Sequence, residues 1–424
     1  MKSANLAMHE LREAVMRIPA DKITADRTSA LARLGAGELP TLRHEDWKYT
    51  DLRPAVDISN RWLAAGASNS HPDSLDATIS GIRQSIEANW LVIANGVVDT
   101  SQFDAAAGVR LQRFSESSPP ENPATPLSDL NVALLADGVR LEVHAATEKP
   151  IGLLIIDSSE SAVTVSQANL AIEIAAGCDA EIIEYQSSSG EFDNYCNSSI
   201  TLQIDEGAKA RYVRIQDRDV RHTHTARLDV RAGAGSELDM AGYDIGGGLV
   251  RNDVDIELNQ PGANVRFNGL YLAGDGQHID NHTRVDHKVG PASSFQEYRG
   301  ILNGKCRCVW NGKAVVHKGA DGTDANQANH NLLLSDKAEI DAKPELEIYA
   351  DEVKCSHGTT VGQLDKQALF YLRTRGLNRA EAKQLLTHAF AADLVRRAPV
   401  AAARDTVAAL VNRKLSALTE NDPL

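Results

Sequence analysis

The sequence predicts a mainly β chain whose central part is a β-solenoid with helical regions on either side, and three observations carry that expectation. Glycines at 177, 207, 235, 262 and 290 follow one another at intervals of 30, 28, 27 and 28 residues. Each of the first four stands between short alternating runs, as Leu170-Ala171-Ile172-Glu173-Ile174 precedes Gly177 and Ala180 to Tyr185 follows it. Alternation of period two marks a strand with one buried face. From Leu369 the apolar period becomes that of a helix. Strand-built repeats of this length read as stacked coils, each covering the strand edges of the one before. A β-sandwich with evenly spaced hairpins is the competing reading of the same pattern.

The elements follow in order. Leu6, Leu11, Val15 and Ile18 give a helical stripe, and Gly35, Gly37 and Pro40 a loop. The segment His44-Glu45-Asp46-Trp47-Lys48-Tyr49-Thr50 is dense in charge and aromatic rings. Leu75 to Trp90 reads as helix, and Leu91 to Val98 as a hairpin about Asn95-Gly96. Ser115 to Pro126 carries four prolines, which fit neither a helix interior nor a central strand, so it reads as a linker. Near the end, Asn378 caps a helix with Glu381 as its capping-box partner. Ala382, Leu385, Leu386, Ala389 and Phe390 then form its apolar stripe. Pro399 ends it, and Val407, Leu410, Val411, Leu415 and Leu418 predict a second amphipathic helix. These helices either cap the solenoid or dock a partner. The expected division is an N-terminal mixed, largely helical domain (1–113), a Pro-rich linker with a short helix (114–139), the β-helix core (140–365) and a C-terminal helical domain (366–424).

Composition narrows the function. The chain has 424 residues, more than the ~250–300 that one compact core spans, which suits an elongated repeat. Its formal charge of −14 argues against a general nucleic-acid binder and against an anionic membrane surface. No apolar run approaches a membrane span, and the first ten residues lack an apolar signal core. Five cysteines, an odd and small number, fit free thiols in a reducing cytoplasm.

The motif search first yields exclusions. Gly300-Ile301-Leu302-Asn303-Gly304-Lys305 has three residues between its glycines where a phosphate loop has four, and Cys306 stands where Ser or Thr would hold magnesium. The chain is therefore expected to bind no nucleotide itself. There is no dinucleotide fingerprint, no second histidine for a zinc-protease helix at His44, and no nucleophile elbow. Cys306 and Cys308, one residue apart, fall short of zinc spacing and read as small core side chains. His222 with His224, and His278, His282 and His287, read as surface or satisfied core residues. The segment that stands apart runs from Pro344 to Gly362 and contains Lys354-Cys355-Ser356-His357-Gly358. On a strand, Cys355 and His357 point the same way. Thiolate and imidazole both suit iron, and Lys354 beside Cys355 would favour the thiolate. Two ligands do not close a metal site, so a second chain or a substrate has to complete it. The competing reading is a buried cysteine beside a hydrogen-bonded histidine.

The string from Glu345 to Gly362 resembles the SufB/SufD family of the SUF iron–sulfur cluster assembly scaffold. So do His44 to Thr50, Asn329-His330-Asn331-Leu332-Leu333-Leu334 and Leu369-Phe370-Tyr371-Leu372-Arg373-Thr374-Arg375-Gly376. The resemblance covers most of the chain and is strongest from about residue 280 to 395; the Lys-Cys-Ser-His-Gly run favours the SufD branch over SufB. It implies a right-handed parallel β-helix between N- and C-terminal helical regions. It implies pairing with SufB through the β-helix, or with a second copy of this chain in isolation, and binding of the ATPase SufC through the C-terminal helices. The chain is then a scaffold and not an enzyme. Its cargo is iron or a nascent iron–sulfur cluster shared with SufB, with His357 as the implied ligand and Cys355 as a secondary one. Cys306 and Cys308 match no family position, and Glu347, Asp351 and Glu352 stand as undivided acidic candidates. Two other functions compete: a purely structural partner of SufB and SufC, and a β-helix polysaccharide-active enzyme.

Overall fold

The computed structural model describes residues 5–69, 71–105, 108–117, 119 and 125–420. Four helices open the chain: α1 (Met8–Arg17), α2 (Thr24–Ala36), α3 (Arg53–Ala64) and α4 (Asp73–Ser85). A hairpin of β1 (Asn89–Ala94) and β2 (Val97–Asp99) follows, then β3 (Val109–Arg113), α5 (Pro126–Leu134) and β4 (Val139–Val143). Fifteen strands come next without an intervening helix: β5 (Ile151–Ser158), β6 (Thr164–Ile174), β7 (Asp179–Ser189), β8 (Asn194–Ile204), β9 (Lys209–Asp217), β10 (Thr223–Ala232), β11 (Glu237–Asp244), β12 (Leu249–Leu258), β13 (Asn264–Ala273), β14 (His278–His287), β15 (Ser293–Leu302), β16 (Arg307–Val316), β17 (Asp324–Leu333), β18 (Glu339–Ile348) and β19 (Lys354–Gly362). The chain closes with α6 (Lys366–Thr374), α7 (Arg379–Arg396) and α8 (Arg404–Glu420).

Successive strands alternate between two sheets. The odd-numbered strands run in the order β19-β17-β15-β13-β11-β9-β7-β5-β1-β2, and the even-numbered ones in the order β18-β16-β14-β12-β10-β8-β6-β4-β3. From β4 to β19 every pairing is parallel. The result is a parallel β-solenoid of about seven turns, with helices at both ends of the chain. Gly177 and Gly207 take φ of +69° and +64°, the left-handed conformation with which the chain turns from one sheet to the other. Gly290 is a glycine for another reason: a Cβ there would lie 2.0 Å from the Asp321 carbonyl oxygen.

Three apolar layers hold these elements. The lumen between the sheets is lined along most of its length by an apolar column that includes Leu153, Ile172, Leu202, Phe267 and Trp310. The outer face of the odd-numbered sheet (Val213, Tyr243, Leu272) buries itself against Leu394, Val407 and Leu415 of α7 and α8. The N-terminal helices cover the start of the even-numbered sheet, where Val165 and Tyr195 meet Trp62 and Leu130. Beside its apolar column, in the early coils, the lumen also holds polar and charged pairs, with Arg218 donating to Asp157 at 2.6 Å and the Tyr212 hydroxyl to Glu184 at 2.7 Å.

Several expectations shift in detail. Trp90 lies in β1, not at a helix end, because that strand opens the odd-numbered sheet by pairing with β5. Of the predicted linker, Pro120 and Pro123 lie outside the described residues, while Pro126 starts α5 behind a Thr125 cap, a position where its missing N–H costs nothing. The α7 capping box is present. Its buried face is Ala382, as predicted, with Lys383, Thr387, Ala391 and Leu394, whereas Leu385 is 49% exposed. The contacts with α8 and β13 set that face, and the predicted apolar stripe is rotated partly away from it. Among the described residues, no helix is long and apolar enough to cross a membrane.

Candidate functional site

Among the described residues, nothing covers the last coil of the solenoid. β19 and β18 end their respective sheets, so each has a neighbour on one side only. Strands before them are mostly buried, whereas β18 and β19 contain no buried residue. Their outer backbone edges are templates for another strand. Tyr349, just after β18, and Val361, within β19, have 62% and 50% of their surface exposed.

Strand register decides where Cys355 and His357 point. Cys355 aligns with Ala325, Ser294 and Val265 of the preceding coils. His357 aligns with Gln327, Gln296 and Phe267. All six aligned residues are buried. The Cys355 and His357 columns therefore continue lumen columns, and the two residues are accessible because no further coil covers them. Opposite them, Ile340, Ala342, Pro344 and Leu346 of β18 continue the column of Cys308, Trp310, Gly312 and Ala314. The mouth of the lumen thus has a thiol and an imidazole on one wall and an apolar wall facing them. On the outer side of β19, Ser356 donates to Asn326 at 2.6 Å and Thr360 bonds His330 at 2.9 Å, which holds the strand in register.

The expected help from Lys354 does not materialise. The Cys355 thiol is pushed up by its partial burial and by the charge of Asp324, and Lys354 lies at the neighbouring position on the opposite face of the strand. The Cys355 thiol is thus held protonated more firmly than a free thiol. Among the described residues, no group of three or more His, Cys, Asp and Glu side chains could hold a metal ion.

The acidic candidates separate. Glu347 faces outward in the column of Asp286 and pairs with Lys313 at 2.6 Å, away from the lumen. Asp351 and Glu352 form the exposed turn that leads into β19, and their backbone N–H groups donate to the Asp321 carboxylate.

The other histidines and cysteines singled out in the sequence are buried or hydrogen-bonded within the fold. His222 bonds Ser188 at 2.7 Å, and the buried His224 bonds the Cys196 carbonyl at 3.1 Å. His278, His282 and His287 do not form one cluster. The first two lie on the outer face beside Asp280, whereas His287 faces the lumen and bonds Ser294. Cys306 and Cys308 are buried and apart from the mouth; burial pushes the Cys306 thiol up to about 11 and Cys308 well above its ordinary value.

Sequence reading missed the purpose of His44 to Thr50. This segment is a strap across the outer face of the even-numbered sheet. Thr50 donates to Asp280, Arg251 donates to the Asp46 carbonyl at 2.8 Å, and the Arg251 guanidinium lies 4.4 Å from the centre of the Trp47 ring. Glu45 meets Lys343 of β18 at 2.9 Å. Beneath the strap runs a cleft of about 630 Å³ floored by Arg227, Asp253, His282, Asn311 and Lys343, one from each of five successive coils. The mix of rings and charge in the segment was the signal; its partner strands, more than 200 residues away, were not readable.

Fold and site together define a helix-flanked parallel β-solenoid whose last coil is uncapped and carries a thiol and an imidazole on one lumen wall. Residues 155–390 match the family described as "SUF system FeS cluster assembly, SufBD core domain", and the chain belongs to that family. It is similar to the iron–sulfur cluster assembly protein SufD of Escherichia coli (strain K12), 29% identical over 385 residues and 89% of each chain. An iron–sulfur cluster assembly SufBD family protein of Synechocystis is 28% identical over 88% of this chain and 87% of its own. One from Mycobacterium tuberculosis is 27% identical over 91% of each. These relationships give the chain a role in iron–sulfur cluster assembly.

Proposed function

We propose that the chain is a SufD-type scaffold subunit that builds a nascent iron–sulfur cluster together with SufB, and that it is not itself an enzyme. The observation that carries this reading is the uncapped coil with His357 and Cys355 on its lumen side. In this reading a SufB solenoid abuts the edges of β18 and β19, and its side chains complete the coordination sphere that His357 begins. The neutral imidazole offers iron a nitrogen lone pair, so protonation competes with ligation. Cys355 serves as a secondary ligand and releases its thiol proton on binding. SufC docks on the C-terminal helices. Support comes from α6, which buries no residue of its own and exposes Phe370 and Tyr371. ATP-driven dimerisation of SufC pulls on these helices and opens the interface to iron and sulfur. The four segments 1–113, 114–139, 140–365 and 366–424 act as the N-terminal, linker, pairing and SufC-binding units, and the complex works in the cytoplasm.

The test is anaerobic iron and sulfide analysis of the complex co-purified with SufB and SufC. His357→Ala is expected to leave the complex assembled and to lower its cluster content. Normal cluster content in that variant, and in Cys355→Ala, would leave the chain a purely structural partner.

A further inference from the structure

We propose that Gln327 is a positioning residue for His357: its side-chain carbonyl accepts the Nδ1–H of the ring and leaves Nε2 free to bind metal. The inference begins with a chain of hydrogen bonds inside the lumen whose direction can be worked out. At its inner end the Thr283 hydroxyl donates to the backbone carbonyl of Asn311 at 3.2 Å, and a carbonyl can only accept. With its proton so committed, Thr283 accepts from the amide nitrogen of Gln296. Gln296 therefore presents its oxygen toward the open end, and this oxygen accepts from the amide nitrogen of Gln327 at 3.4 Å. Gln327 in turn is left with its Oε1, a buried acceptor without a partner among the described residues, on a side chain that is 5% exposed.

The rung above that oxygen carries His357, aligned with Gln327 in the β17–β19 register. Adjacent rungs stand about 4.8 Å apart, so rotation of the ring about its side-chain bonds brings a ring N–H over the oxygen. Two facts of chemistry make the match specific. A buried carbonyl oxygen without a donor costs free energy that an incoming N–H recovers. A histidine that ligates a metal needs its second nitrogen protonated and held, and the acceptor that holds it fixes the tautomer. Gln327 offers an acceptor there, with its amide hydrogens turned toward Gln296. An ordered direction running from Asn311 through Thr283, Gln296 and Gln327 thus ends on the ring that the proposed function assigns to iron. The inference rests on that reading for the identity of the metal; the tautomer itself is a property of this chain alone.

The experiment is ¹⁵N NMR of the full chain labelled in its histidine rings, at a pH where the ring is neutral, with the His357 signals identified by their loss in His357→Ala. Wild type is expected to hold His357 mainly as the Nδ1–H tautomer. Gln327→Leu and the equally long Gln327→Met are expected to return it to the Nε2–H form that water favours, whereas Gln327→Glu, which keeps an acceptor, holds Nδ1–H. A wild-type ring in the Nε2–H form, or a tautomer indifferent to Gln327→Leu and Gln327→Met, overturns the proposal. So does an Nε2–H ring in Gln327→Glu, which also serves if the apolar variants do not fold. Ferrous-ion titration of the complex with SufB and SufC supplies the second readout: Gln327→Leu is expected to weaken binding by roughly 10- to 100-fold. If His357→Ala leaves iron binding unchanged while the tautomers behave as stated, the iron reading fails and the positioning role stands.

Discussion

Replacing Lys414 by methionine should stabilise the docking of α8, and the size of the gain should depend on pH. Lys414 lies half-buried between α8 and the solenoid, where its Nζ donates to Gln277 at 2.5 Å. The charges facing it are Asp217, which attracts the ammonium, and Arg413, which repels it; the thiols of Cys306 and Cys308 are also near. Burial dominates and lowers the lysine from 10.5 to about 8. At ~1.4 kcal/mol per tenfold change, that drop amounts to roughly 3 kcal/mol held against the charged, docked state. Partial exposure and the lost hydrogen bond reduce the net gain from Lys414→Met to about 1–2 kcal/mol at pH 7. The sign follows from proton counting. Between pH 8 and 10.5 the unfolded lysine holds a proton that the docked one has lost, so wild-type stability rises with pH across this window. The advantage of Lys414→Met is therefore greatest below pH 8 and fades as pH approaches 10.5. Urea denaturation followed by the helical circular dichroism signal, at pH 7 and pH 10, measures it. A methionine variant less stable than wild type at pH 7, or an equal difference at both pH values, would refute the reasoning.

Asp280→Ala should release the strap: it removes the acceptor shared by Thr50 and Arg251, leaves the 2%-exposed Arg251 with Asp253 as its carboxylate, and costs about 3–5 kcal/mol. Limited trypsin digestion, read at Arg43 and Lys48, should then cut the strap faster than in wild type; unchanged protection would contradict the latch. His287 predicts an acid sensitivity, because burial lowers it from 6.5 to about 4. The unfolded chain takes up that proton first as pH falls, so stability is lost between pH 6.5 and 4, by roughly 3 kcal/mol from this group. His287→Gln should flatten the acid limb of a denaturation-midpoint curve, and an unaltered limb would show that other groups govern it.

How far the sequence could be read depended on how local each cause was. The coils were legible because Gly177, Gly207, Gly235 and Gly262 mark sheet-to-sheet turns, and the alternation around them reports one buried face. The capping box at Asn378 and the buried face of α8 were legible for the same reason. Spacing also placed Cys355 and His357 on one face of one strand. What it left open was which face, since that depends on register with Ala325 and Gln327, about 30 residues earlier. The separation of His287 from His278 and His282 follows from odd and even positions along β14, which are decided once the strand's bounds are known. The Arg251–Asp280–Thr50 latch and the exposure of Leu385 were beyond reach, because both depend on contacts between distant segments.

The central claim is that β19 and the lumen mouth are finished by another polypeptide. Hydrogen–deuterium exchange of residues 354–362 tests it most directly, comparing the chain diluted to a monomer with the chain in the proposed complex with SufB and SufC. The outer-edge amides of β19 should exchange rapidly alone and become protected in the complex. Equal exchange in the two states would mean that this edge remains bare and that the site is built elsewhere.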